Sequence, residues 1–111
     1  MNTVIEARHM EVTNSLREYI ESKAEKLPKF FDSVHSIEIT LDIEADMPLT
    51  EIIARAGRKS TFVASVRDQD MYACVDQCMH KIAEQLRRHK DRVRDHHAPA
   101  RNTLSESTDL Q

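Results

Sequence analysis

The sequence predicts an α+β domain of order β-α-β-β-β-α, a four-stranded sheet with two near-parallel helices on one face. Three observations predict it. The run "SIEITLDIE" alternates strictly between apolar and polar residues, which marks a half-buried strand. Residues 16–27 and 71–93 instead repeat apolar residues at helical spacing, and short extended runs stand between and before them. A sheet with one apolar face and two amphipathic helices closes most simply if both helices cover that face. The 111 residues suit one domain, read as residues 1–97, with "APARNTLSESTDLQ" at 98–111 as a polar, aperiodic and disordered tail.

Each element has its own signal. "NTVIEA" is a short extended run, and either Thr13 or Ser15 can cap the helix that follows, the latter with Glu18 in a capping box. Leu16, Ile20, Ala24 and Leu27 form its stripe, and Pro28 should end or kink it. In the second strand Ile37, Ile39, Leu41 and Ile43 lie opposite Ser36, Glu38, Thr40, Asp42 and Glu44, as expected of an antiparallel strand. "ADMPLT" is expected to break it, and "EIIARA" resumes extended structure. Its adjacent Ile52 and Ile53 leave open which faces inward. "GRKS" carries the single glycine and reads as a turn, before a fourth strand with Phe62, Ala64 and Val66 on one side. From there Met71, Val75, Cys78, Ile82, Leu86 and Val93 make the longest stripe, with Asp68 or Asp70 placed to cap it.

The N-terminal residues lack the pattern of a secretory signal, and no apolar run approaches membrane-spanning length, so a cytoplasmic protein without a membrane partner is expected. Cys74 and Cys78 stand four apart on one helix and read as reduced core or boundary thiols. They do not converge with Asp76 and His80 at a metal-site spacing, and His89, His96 and His97 spread around a helix end as solvated side chains. No glycine-rich loop, nucleophile elbow or His-Glu-x-x-His is present. No enzyme activity, metal, cofactor or small-molecule substrate is expected.

Charge is segregated within a formal net of −3. Residues 1–79 carry nine basic and fourteen acidic side chains, whereas residues 80–97 carry six and three. At about 100° per residue, Lys81, Arg88 and Arg92 fall on one flank of the last helix's stripe and Arg87, Lys90 and Arg94 on the other, with Glu84, Asp91 and Asp95 on the outer ridge. On the first helix Lys23, Lys26 and Lys29 share a flank. If basic edges border the interhelical groove, Lys23, Lys26, Lys81, Arg88 and Arg92 form a track suited to a phosphate backbone. From the charge pattern alone, a solvated helix laced by Glu84 to Arg88, Arg87 to Asp91 and Glu25 to Lys29 pairs is the commoner reading. It therefore leaves a protein-interaction module without RNA binding as the alternative.

Two segments carry a family resemblance. "QDMYACVDQCMHKIAEQLRRHKDRVRDHH" resembles the final helix of the short ribosome hibernation promoting factors and the related ribosome-associated inhibitor, and "RHMEVTNSLREYIESKAEKLPKFFDSV" is similar to their first helix. The similarity spans roughly residues 2–97, with the motifs in the family's order. It implies the same fold, and a translation inhibitor that occupies the messenger and transfer RNA channel of the small ribosomal subunit, promoting ribosome hibernation under stress or in stationary phase. The partners implied are the small subunit and its ribosomal RNA, with a monomer on the ribosome. Carried over, the basic positions are Lys23, Lys26, Lys81, Arg88, Lys90 and Arg92, with Arg8 in the loop before the first helix, Arg87 and Arg94 as additions, and Lys29 on the same flank as Lys23. Tyr72 is expected to pack near the helix cap rather than to stack on RNA. "GRKS" departs from the family's glycine-rich turn, and Glu84 is more acidic than usual there.

Overall fold

The structure, a computed structural model, describes residues 1–96, with side chains described through residue 93, so the tail expected at 98–111 lies outside the described residues. Strand β1 (Asn2–Arg8) leads to helix α1 (Asn14–Ala24), a 3-10 turn (Leu27–Lys29), strands β2 (Val34–Glu44), β3 (Met47–Ala56) and β4 (Ser60–Arg67), and helix α2 (Met71–His96). The sheet order is β1-β2-β3-β4. β2 pairs antiparallel with β3 but parallel with β1, so the strand expected to be antiparallel sits in a mixed sheet.

Of the two possible caps for α1, Thr13 acts: its Oγ1 accepts the Leu16 amide at 3.1 Å. Thr13→Ala is expected to cost about 1 kcal/mol, read from the midpoint of urea unfolding. α1 closes at Ala24, and Pro28 enters the 3-10 turn near its start, where a missing amide proton is harmless.

The hairpin between β2 and β3 is tighter than expected. Only Ala45 and Asp46 form the turn, both left-handed at φ 51° and 63°, as a two-residue hairpin loop with matching twist requires. Met47 and Pro48 therefore already belong to β3. Pro48 is tolerated because its carbonyl, accepting the Asp68 amide at 3.2 Å, faces the β4 side just beyond that strand's end, so its nitrogen faces a place where no ladder bond is due. The open register of β3 is resolved: Ile52 pairs with Ile39 and is fully buried, while Ile53 lies on the outer face. Gly57 makes the next turn at φ 60°.

One sheet face packs against α1 and α2. The core joins Leu16, Ile20 and Leu27 to Ile37, Ile39, Leu41 and Ile52, and these to Val75, Cys78, Ile82 and Leu86. Ile43, expected in the inward row, is only half-buried at the hairpin end. Val93, expected in the α2 stripe, is 37% exposed. The 26 residues of α2 reach about 39 Å, beyond the roughly 27 Å of the eight-residue β4.

The outer face carries Glu6, Glu38, Asp42, Glu44 and Glu51 beside Arg8, Arg55 and Arg67. Arg55 pairs with Glu38 and Arg67 with Glu44. Asp42 belongs to this face and is nonetheless buried, because His9, left-handed at φ 59°, lays its ring over it and donates Nδ1–H to the carboxylate at 2.8 Å. That bond, with the Ile43 amide, holds the Asp42 carboxyl below the usual range despite burial.

Candidate nucleic-acid interface

Helix α2 packs on the sheet through Cys74 and Cys78 as well as its larger apolar residues. Both cysteines are fully buried, and their thiols donate to the carbonyls of Val66 at 3.0 Å and Ala64 at 3.3 Å. Burial, followed by the neighbouring Cys74, pushes the Cys78 thiol up to about 12, which makes it a packing residue rather than a nucleophile. Asp70 caps α2, accepting the Ala73 amide at 3.3 Å, while Asp68 accepts the Asp70 amide and the Gln77 side chain.

Seating α2 this way decides which flank meets α1. Tyr72 packs edge-on against Tyr19 with centroids 5.0 Å apart, and Tyr19 donates its hydroxyl to Asp76 at 2.6 and 2.7 Å. A groove of about 280 Å³ follows, lined by Lys23, Lys26, Leu27, Phe30, Asp76, Met79, His80 and Ala83. Leu27, Phe30, Met79 and Ala83 supply apolar surface between the lysines of one wall and the polar groups of the other. One and two turns further along α2, Arg87 and Lys90 continue the flank that holds Asp76 and Ala83.

The expected track is therefore corrected. Lys23 and Lys26 do line the groove, but Lys81, Arg88 and Arg92 lie on the opposite flank of α2, on the side of the β4 edge, where Gln85 donates to the Val63 carbonyl at 2.9 Å. The basic residues of α2 that continue toward α1 are Arg87 and Lys90. Arg94 falls on that flank by spacing, but its side chain lies outside the described residues. Lys29 is exposed in the 3-10 turn. Arg8 is the last residue of β1 rather than a loop residue, and its exposed position alternates with the inward Ala7, which places it on the outer face beside Asp42.

Glu84 works on the outer ridge. It accepts two contacts from Arg87 Nη2 at 2.7 Å and stands 3.9 Å from Arg88 and from His80, so it orients Arg87 and offsets part of the local charge. Sequence reasoning missed Tyr19, Asp76, His80 and Phe30 as groove residues. The signal was available for two of them, since Asp76 and His80 sit on the helical flank of Arg87.

His89, expected to be solvated, is half-buried against two aromatic rings. Its ring sits edge-to-face with Phe31 at 5.1 Å and Phe62 at 5.2 Å, and lies 3.4 Å from the Ser60 hydroxyl. Desolvation, then the neighbouring Arg92, lowers its pKa below 6.5. Protonation is thus harder in the folded state than in the unfolded chain, so stability falls as pH drops below about 6.5. Asp42 acts in the same direction at lower pH, as its depressed carboxyl is protonated. His89→Phe is expected to flatten the stability profile between about pH 7 and pH 5, measured by urea unfolding across that range.

Comparison with known proteins agrees with this architecture. Residues 3–94 match the sequence model of the family described as sigma 54 modulation protein / S30EA ribosomal protein. The chain is 31% identical over 96 residues to ribosome hibernation promoting factors of Salmonella typhimurium and Escherichia coli K12, covering 86% of this chain and 100% of each relative. A ribosomal subunit interface protein from Coxiella burnetii superposes with a TM-score of 0.76 at 26% identity, covering 82% of this chain and 99% of that one. The N-terminal domain of Protein Y from Thermus thermophilus shares the fold, with a TM-score of 0.71. With residues 3–94 matched by the family's model and relatives 31% identical over 86% of its length, the chain belongs to the sigma 54 modulation protein / S30EA ribosomal protein family.

Proposed function

We propose that this protein is a cytoplasmic ribosome hibernation factor. It seats its helical face on ribosomal RNA of the small subunit, in the channel for messenger and transfer RNA, and inhibits translation by occupancy without chemistry. The observation that carries the reading is the groove between α1 and α2, with Lys23 and Lys26 on one wall and Arg87 and Lys90 continuing the other. The acids of the outer sheet face lie on the far side of the molecule from it. Such a cationic cleft recognises phosphate and RNA shape even in a chain of net charge −3, because short-range contacts depend on local rather than total charge. Family membership and relatives named ribosome hibernation promoting factor point the same way.

Co-sedimentation with purified small subunits across a salt series tests this. Four phosphate contacts predict a slope of about −3 in log affinity against log salt, or roughly 50-fold weaker binding on going from about 50 to about 200 mM. Messenger and initiator transfer RNA should compete. Absence of pelleting at low salt overturns the reading and leaves the protein-interaction module.

A further inference from the structure

The groove contains an acid where an RNA site has no evident use for one. Asp76 faces Lys23 across the helix pair, with Oδ1 at 3.7 Å from the Lys23 ammonium. Both side chains are partly open to solvent, at 46% and 38% exposure, so an incoming phosphate reaches either. Lys23 Nζ also stands 5.3 Å from the centroid of the Tyr19 ring. The Tyr19 hydroxyl donates to both Asp76 oxygens at 2.6 and 2.7 Å. One cation, Lys23, and one anion, Asp76, thus share a small volume with the Tyr19 hydroxyl, and the anion is already engaged.

The distances separate two roles for the carboxylate. A charge-assisted contact between ammonium and carboxylate closes to about 2.8 Å when nothing hinders it. Here the ammonium stands almost an ångström further out, while the short contacts go to the tyrosine hydroxyl. Tyr19 therefore takes the directional bonding of Asp76 and leaves Lys23 only its longer-range attraction. Lys23 is restrained at the groove yet not consumed by a close ion pair.

We propose that Asp76 sets the affinity of the RNA groove, as an intramolecular stand-in for phosphate at Lys23 that the Tyr19 hydroxyl holds back from full contact. The role rests on the groove being the RNA face. RNA phosphate replaces Asp76 as the partner of Lys23, and each binding event works against that competition and against the carboxylate's own repulsion. Asp76 is a positioning residue in this scheme, acting on RNA through Lys23.

Equilibrium binding to purified small subunits across a salt series separates this from a purely structural clamp, which Asp76 and Tyr19 could equally form between the helices. Asp76→Asn keeps an oxygen to accept the Tyr19 hydroxyl and removes the charge. It is expected to tighten binding about two- to fivefold, the size of one exposed ion pair, and to steepen the salt slope by about 0.7. Tyr19→Phe frees the carboxylate to close on Lys23 and should weaken binding with a shallower slope. In a Lys23→Gln background the gain from Asp76→Asn should shrink to the part that the carboxylate's own repulsion contributes.

A clamp alone predicts the opposite sign for Asp76→Asn, with weaker binding alongside a lower melting temperature. Binding by Asp76→Asn that equals or falls below wild type overturns the proposal, as does a gain that persists undiminished without Lys23. Should Asp76→Asn fail to fold, Tyr19→Phe decides: an unchanged slope overturns the role and a shallower one supports it. Wild type that never binds at low salt overturns the proposed function itself, and this role with it.

Discussion

Replacing Lys26 and Arg87 together, as Lys26→Glu with Arg87→Glu, is expected to weaken small-subunit binding by at least about a hundredfold at moderate salt. Each change removes a cation from a wall of the groove or its continuation and substitutes an anion that repels the same phosphate. Hydrogen bonds to charged groups contribute about 1.5–3 kcal/mol each, so losing two reaches roughly 3 kcal/mol before repulsion is added, and that is more than two powers of ten. The salt slope should fall by about two. The fold should survive, because Arg87 and Lys26 are exposed and the Arg87–Glu84 contact lies on the surface, where a like-charge pair costs only about 0.2–0.5 kcal/mol. Pairing Lys26→Glu with Arg88→Glu instead is the informative control. Arg88 lies on the flank away from α1, so the loss should be closer to that of Lys26→Glu alone if the groove is the contact surface. Equal losses for the two double variants would move the contact surface onto the outer ridge of α2.

The difference between Arg87 and Arg88 also marks what the sequence could and could not disclose. The stripe from Met71 to Leu86 states which face of α2 is buried, because burial selects residue type directly. It does not state which flank has α1 as its neighbour. That depends on strand order and on the direction in which the chain crosses from β1 to β2, neither of which periodicity encodes. Hence Lys81, Arg88 and Arg92 were recognisable as one flank but were assigned to the wrong neighbour. The alternation of β2 was legible for the same reason as the stripe, whereas the adjacent Ile52 and Ile53 were not. Both are apolar, and only the pairing of Ile52 with Ile39 decides between them. His89 was hidden by a different cause. Its aromatic surroundings come from Phe31 and Phe62, more than twenty residues away in the chain, and no local pattern announces them.

Ile82→Ala is expected to cost about 2–5 kcal/mol, the largest stability loss predicted for a single substitution here. Ile82 is fully buried at the centre of the α2 stripe and joins the helix to the sheet in one core cluster. The sheet surface below α2 is built partly from Ala54 and Ala64, whose side chains are too short to fill the space that the truncation opens. The cavity term therefore adds to the transfer term instead of being relieved by collapse. Small domains have only about 5–15 kcal/mol in total, so the variant loses a substantial share of its margin. In urea the midpoint should fall by about 1 M or more with an unchanged slope, since the same surface is exposed on unfolding. Val93→Ala supplies the contrast. The two valine and isoleucine positions fall on one helical stripe, yet Val93 lies where α2 has passed the end of the sheet and is 37% exposed. Its truncation should change stability by about 0.5 kcal/mol or less. Comparable losses at both sites would mean that the core continues along α2 beyond Leu86, and that the basic end of the helix is held by packing as well as by its covalent extension from the fold.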